Sequence, residues 1–315
     1  MTTLLVATTG GHLTQLFDVA GRLPEDNGGG RVWCTHENAQ SRSLLAGEDV
    51  EWIPYIGVKD VPGVLRTTRV AHRLLKQRGV HRAVSTGSGI ALAFLPYLAA
   101  RGVRTHYIES AARVQGPSVS GRVLNGVPGV RLYTQYRRLV SGRWRYGGSV
   151  FDGFRPVEGA TPAAGLRRAV VTLGTAAEFP FRRLLDAAVP LLAGVETLWQ
   201  TGGTPTEGLA LEARPWLPAA ELAAALAAAD VVITHAGVGS ALTALRSGRC
   251  PVLVPRERAR GEAGDDHQEQ LARELAERGL AVHRRAEELT VDDLLEAASR
   301  RVERVAHPPL FELVP

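Results

Sequence analysis

The sequence predicts an α/β fold of two doubly wound, Rossmann-like domains. Short apolar runs that read as buried parallel strands alternate with helical patterns along most of the chain. A stretch rich in Gly, Pro and Ala, "GGSVFDGFRPVEGATPAAGLRR", interrupts that alternation near the middle, and a new Val-rich strand begins after it. Several strands end abruptly in polar, Gly-containing turns, as where Val231-Val232-Ile233 runs into Thr-His-Ala-Gly-Val-Gly-Ser.

Taken in order, the expected strands are Leu4–Ala7, Arg31–Cys34, Ala83–Ser85, Thr105–Ile108, Ala169–Leu173, Val231–Thr234 and Pro251–Pro255. Helical spacing marks Leu13–Leu23, Pro180–Leu192, Ala219–Ala228 and His267–Arg278. Strand-helix alternation implies βαβ units. We expect domains at 1–154 and 165–300, a linker at 155–164 and a tail at 301–315, with strand carboxyl ends facing a central cleft.

Composition narrows the class. Of 315 residues 45% are hydrophobic, so a core can form and wholesale disorder is excluded. The two cysteines, Cys34 and Cys250, lie far apart with no His or Cys at ligand spacing, which argues against a disulfide framework or structural zinc and for a reducing, cytoplasmic setting. The start "MTTLLVATTGGH" lacks a signal-peptide pattern. The apolar segment "IALAFLPYLAA" is shorter than the roughly 20 residues a bilayer span needs and reads as a core helix. Charge is lopsided: residues 1–150 hold 19 Lys/Arg against 9 Asp/Glu, and the remainder 18 against 23. The basic half either is simply solvated or meets an anionic surface.

The strand ends carry the chemistry. Gly237 and Gly239 permit a tight turn and close backbone approach, and Ser240 is expected to start a helix, Ala241–Ser247, closed by Gly248. A helix amino terminus presents unpaired N–H groups and partial positive charge to phosphate. The dinucleotide pattern Gly-x-Gly-x-x-Gly fails at Leu242, and no Gly-Lys-Ser/Thr occurs, so any phosphate site belongs to another class. Gly174-Thr175 and Gln200-Thr201-Gly202 end two more strands, and Asp265-Asp266-His267-Gln268 opens a helix with donors and acceptors suited to sugar hydroxyls. Each of these also reads as an ordinary βα turn or helix cap.

Together the motifs resemble a known group. The second half, through His235, Gly237, Gly239, Ser240 and Asp265, Asp266, His267, Gln268, resembles the C-terminal domain of family 28-type glycosyltransferases, which include the transferase that completes lipid II and the catalytic subunit of the dolichyl-diphosphate N-acetylglucosamine transferase. The first half looks like the partner subunit of that eukaryotic enzyme and of bacterial exopolysaccharide β-1,4-glycosyltransferase pairs, through "TTGGHLTQL", "STGSGIA" and "YIESAARVQGPSVSGRVL". The chain thus resembles a single-chain fusion, acceptor domain first. The resemblance implies a GT-B type fold, a UDP-sugar donor as co-substrate with no other cofactor, and a polyprenyl-diphosphate-linked saccharide acceptor. It assigns donor binding to His235, Gly237, Gly239, Ser240 and Asp265 to Gln268, and the strand-end turns add Gly174, Thr175, Gln200 and Gly202 to that side. Acceptor binding falls to Gly10, Gly11, Gly87, Ser88 and Arg113. The family's usual ribose-binding Glu is replaced by Thr243.

The implied reaction is an inverting displacement that needs a base. His12 and Glu109, both at strand ends, are the candidates. No Asp-x-Asp motif occurs and no metal is expected, although Asp265, Asp266 and His267 contain ligand types. Arg66, Arg69, Arg73 and Lys76 recur at helical spacing, with Leu65, Ala71, Leu74 and Leu75 directed elsewhere. This face is expected to solvate or to dock on an anionic membrane. No nucleic-acid-binding module is visible. A nucleotide-sugar epimerase of the same fold and a non-catalytic nucleotide-sugar-binding protein are the rival readings.

Overall fold

The structure is a computed structural model that describes residues 2–24, 29–56, 60–157, 165–174 and 179–314. The chain divides into two compact units, Met1–Asp152 with Pro308–Pro315, and Gly153–His307.

Unit 1 alternates β1 (Thr2–Ala7), α1 (Gly11–Ala20), β2 (Gly30–His36), α2 (Ala39–Leu44), β3 (Val50–Ile53), α3 (Val61–Arg78), β4 (Val80–Gly87), α4 (Gly89–Ala99), β5 (Arg104–Ile108), α5 (Val119–Asn125), β6 (Val130–Thr134) and β7 (Trp144–Tyr146). Its seven strands are all parallel in the order β3-β2-β1-β4-β5-β6-β7. Leu4 to Ala7 of β1 are fully buried, as expected of a central strand covered on both faces. The "IALAFLPYLAA" segment forms α4, buried along most of its length, and α3 packs on it through Ala71 and Leu74. Among the described residues no helix is long and apolar enough to cross a membrane.

Unit 2 opens with β8 (Phe154–Pro156), followed by β9 (Arg168–Thr172), α6 (Arg182–Leu191), β10 (Glu196–Gln200), β11 (Ala213–Arg214), α7 (Ala219–Ala228), β12 (Val231–His235) and α8 (Val238–Arg246). It continues through β13 (Val252–Val254), α9 (His267–Glu277), β14 (Val282–His283), α10 (Val291–Ser299) and β15 (Val302–Arg304). Its parallel sheet runs β11-β10-β9-β12-β13-β14. Counted from β9, that repeats the 3-2-1-4-5-6 succession of unit 1, the common doubly wound order.

Several details differ from the sequence reading. Residues 155 and 156, expected in a linker, belong to β8, which pairs antiparallel with β15 inside the expected tail. The rest of that tail packs on unit 1: Phe311 is fully buried, and Arg22 donates to the Pro309 carbonyl at 2.9 and 2.7 Å. The helix after β12 starts at Val238 with Gly237 as N-cap, so Ser240 lies within its first turn. Gly248, with φ +77°, follows that helix's end.

Candidate functional site

In an open α/β sheet the ligand crevice lies at the carboxyl ends of the strands, where the winding direction reverses. That point falls between β9 and β12 in unit 2 and between β1 and β4 in unit 1. Each junction holds a histidine packed against a glycine of positive φ.

In unit 2 the histidine is His235, the last residue of β12. Its Nδ1 accepts the Gly237 N–H at 3.1 Å, and its Nε2 lies 2.8 Å from Ser240 Oγ. Burial and the Arg256 guanidinium push its pKa down to about 3, against a hydrogen bond with Gln268, so the ring is neutral. With Nδ1 accepting, the ring proton sits on Nε2 and donates to Ser240 Oγ. Ser240's own proton is thereby available to a ligand oxygen. The glycines leave room for the ring: a β-carbon would stand 2.8 Å from Nε2 on Gly174, whose φ is +72°, and 2.4 Å from Cε1 on Gly237. The α8 amino terminus has no side-chain cap, so the first-turn N–H groups, including those of Gly239 and Ser240, face outward from the helix.

Arg256, just beyond β13, was not singled out in the sequence. It is 4% exposed, its Nη2 donates to the Leu173 carbonyl at 2.8 Å, and its backbone N–H donates to Gln268 Oε1 at 3.2 Å. Gln268 is buried in the first turn of α9. Its neighbours are tied locally: His267 Nδ1 contacts Asp265 Oδ1, and Asp266 Oδ1 accepts the Arg258 N–H at 3.2 Å. Gln200 is buried at the end of β10, where it accepts from Thr172 Oγ1 at 2.5 Å, and Gly202 turns the chain at φ +58°. Those two residues shape the adjacent strand end. Thr175 lies outside the described residues. Thr243, in the position where the resemblance implies a Glu, donates its hydroxyl proton to the Gly239 carbonyl at 2.8 Å. Among the described residues no three His, Cys, Asp or Glu side chains converge on a common point.

In unit 1 the pattern is transposed: the histidine follows the first strand and the glycine ends the fourth. Gly10, at φ +85° and ψ −143°, donates its N–H to Gln40 Oε1 at 2.9 Å, and Gly11 begins α1. The next residue, His12, donates from Nδ1 to the Thr86 carbonyl at 2.6 Å. Nε2 of that neutral ring is then the lone-pair nitrogen. Burial lowers the His12 pKa, the Thr86 carbonyl opposes this, and the Arg113 guanidinium lowers it further. Gly87, at φ +105°, lies against the ring, and a β-carbon there would be 3.1 Å from Cε1. Ser88 donates its N–H to Thr8 Oγ1 at 3.3 Å. Gly10, Gly11, His12, Gly87, Ser88 and Arg113 are therefore brought together.

Glu109 is placed differently. Its Oε1 accepts from the Ser110 N–H at 2.9 Å and the Tyr107 hydroxyl at 3.1 Å. Its Oε2 accepts from the Ser118 N–H at 2.8 Å and the Ser118 hydroxyl at 3.0 Å. Four donors fill this buried carboxylate and tie down the "ESAARVQGPS" loop. Burial raises its pKa, and these bonds oppose the rise. Gln15, missed in the sequence although it lies in "TTGGHLTQL", pins the same loop by accepting the Ala111 N–H at 2.8 Å and donating to Ser110 Oγ at 3.1 Å. A cavity of about 540 Å³ lies beside Glu109, lined also by Gln115, Arg138 and Trp144, and His12 is not among its walls.

Residues 214–306, which contain the His235 turn, Arg256 and Gln268, match the family model described as the glycosyltransferase family 28 C-terminal domain. Unit 2 is therefore similar to that domain over these residues. Solved structures agree on the fold. MurG from Acinetobacter baumannii is 20% identical, with 94% of this chain and 89% of that chain covered at a TM-score of 0.60. The glycosyltransferase SnogD from Streptomyces nogalater is 20% identical, with 95% and 92% covered at 0.54. SsfS6 from Streptomyces sp. SF2575, a glycosyltransferase complexed with thymidine diphosphate, is 20% identical, with 95% and 90% covered at 0.51. No curated protein sequence matches the chain. The fold is thus of the GT-B type, with two Rossmann-like units, and the family 28 match spans the candidates from His235 to Gln268 but not Gly174, Gln200 or Gly202.

Proposed function

We propose that this protein transfers a sugar from a UDP-sugar, with inversion, to a hydroxyl of a polyprenyl-diphosphate-linked saccharide. The observation that carries the reading is the His235 turn: a neutral histidine orients Ser240 at an uncapped helix start, inside a family 28 domain. That arrangement suits a leaving diphosphate, because N–H groups and a hydroxyl proton stabilise the charge that develops on the departing oxygen.

In unit 1, His12 is the proposed base. Its Nε2 takes the acceptor hydroxyl proton as the oxygen bonds to the anomeric carbon and the bond to the diphosphate breaks, releasing UDP. Gly10, Gly11, Gly87, Ser88 and Arg113 form the acceptor side in this reading, and the Gln268 amide joins the donor side. The step as written needs no metal ion, since the helix start supplies the electrostatic stabilisation. The protein would act at the cytoplasmic face of a membrane, held there by the basic face of α3.

The test is transfer from radiolabelled UDP-sugars to a membrane lipid extract, with excess EDTA in one arm. Labelled lipid product in both arms supports the proposal. UDP-sugar conversion without acceptor would point instead to an epimerase, and nucleotide binding without turnover to a non-catalytic binder.

A further inference from the structure

We infer that Arg256 is the cation that meets the donor's diphosphate, an inference that rests on the donor-site reading above. The side chain starts beyond β13, yet its Nη2 reaches the Leu173 carbonyl past the end of β9. In the sheet β12 lies between those two strands. The guanidinium therefore passes over the end of β12, where His235 stands, and bridges the crevice at which the winding reverses.

The charge there is unbalanced. Arg256 is 4% exposed, and among the described residues no carboxylate forms an ion pair with it. Its buried Nε has no hydrogen-bond partner. The nearby Glu262 carboxylate is held by Arg183, through Nε at 3.1 Å and Nη2 at 2.8 Å, and by the Glu257 N–H at 3.0 Å. Phe181 covers the guanidinium on one side, with its ring centroid 5.5 Å from the Arg256 Cζ. A buried guanidinium without a counter-charge is unfavourable, and a structural arginine is normally paired. A nucleoside diphosphate seated on the α8 amino terminus brings the missing negative charge. The planar fork then donates to two of its oxygens.

The experiment is calorimetric titration of the full chain and its Arg256→Met and Arg256→Lys variants with UDP, UMP and inorganic pyrophosphate, alongside ligand-free melting. Arg256→Met is expected to lose about 30-fold or more in UDP affinity, with the preference for UDP over UMP collapsing. Arg256→Lys is expected to regain part of that loss, since it restores the charge without the fork. The ligand-free Met variant should melt no lower than the parent, because an unpaired buried charge has been removed. UDP affinity in the Met variant equal to the parent's would overturn the assignment. So would an equal loss for UDP and UMP together with a lowered melting temperature, which marks a scaffold role. If the parent itself binds neither UDP nor pyrophosphate, the donor-site reading falls, and this inference with it.

Discussion

The imidazole of His235 occupies the space that a side chain on Gly174 would need, with only 2.8 Å between its Nε2 and an added β-carbon. In unit 1, His12 and Gly87 repeat the relationship with the strands exchanged, at 3.1 Å. In both units a neutral histidine ring is positioned by its neighbours' backbone and by the absence of a side chain opposite.

Gly237→Ala is accordingly expected to displace His235, since the new methyl would lie 2.4 Å from Cε1. Ser240 would lose the partner that orients it. Nucleotide-dependent stabilisation in thermal unfolding should vanish, while the ligand-free midpoint falls by a few degrees, the scale of about 1–3 kcal/mol of overpacking. A variant that binds UDP like the parent would show that the ring's position does not matter.

Acid should destabilise the protein in a definite window. His106 and His235 titrate near 6.5 when unfolded, but burial first, and then nearby arginines, hold each at about 3 in the fold. Between those values the unfolded chain binds protons that the folded chain refuses. Stability is therefore complete above about pH 6.5, falls by about 1.4 kcal/mol per pH unit for each histidine, and levels off below about pH 3. His106→Gln should flatten the decline in melting temperature between pH 7 and 5. An unchanged slope would remove His106 from the account.

The central strands were legible in sequence because β1, β9, β12 and β13 are continuous apolar runs, buried on both faces. The edges were not. Trp144–Tyr146 and Ala213–Arg214 are too short and too polar to show a period, and they become strands only because a partner's unpaired backbone is beside them. At the site, glycine turns and His235 stood out as motifs. Arg256 did not, because burial of an arginine is a tertiary fact: in "VPRERARGE" it is one of several charged residues after a strand. The bonds that Glu109 accepts from Tyr107 and Ser118 were hidden for the same reason, since they form only once the loop closes.

Thr243 should leave the ribose weakly read. Its hydroxyl proton is committed to the Gly239 carbonyl, and it offers no carboxylate to two ribose hydroxyls. UDP and 2′-deoxy-UDP are expected to bind within about 5-fold of each other, whereas Thr243→Glu should favour UDP by about 10-fold or more, the scale of a hydrogen bond to a charged group. A parent that already discriminates strongly would mean another residue reads the sugar.

The basic face of α3 sets an expectation for membranes. Arg66, Arg69 and Lys76 are exposed and form no ion pair among the described residues, while Arg73 pairs with Glu51 and Ala71 and Leu74 are buried. Leu65, expected to turn away, is instead 67% exposed, one helical turn from Arg69. Cosedimentation with anionic vesicles should drop about 100-fold in the triple Gln variant, at roughly 1 kcal/mol per basic residue. Equal binding to neutral and anionic vesicles would count against docking through this face.

His12 and Glu109 are separated by what their removal should do. The His12 Nε2 is a lone pair beside the β4 end, whereas every Glu109 oxygen is already accepting from loop donors. His12→Ala is expected to lower turnover by at least about 100-fold with UDP affinity unchanged. In the parent, kcat/KM should be level at neutral pH and fall on the acid side of 6.5, because burial lowers the His12 pKa and the base must be unprotonated. Glu109→Gln turns an NH2 toward donors that need an acceptor, which costs about 1–3 kcal/mol for each mismatched bond and should lower the melting temperature by several degrees. The opposite pattern, an intact Glu109→Gln fold with lost turnover and an active His12→Ala, would transfer the base's role to Glu109.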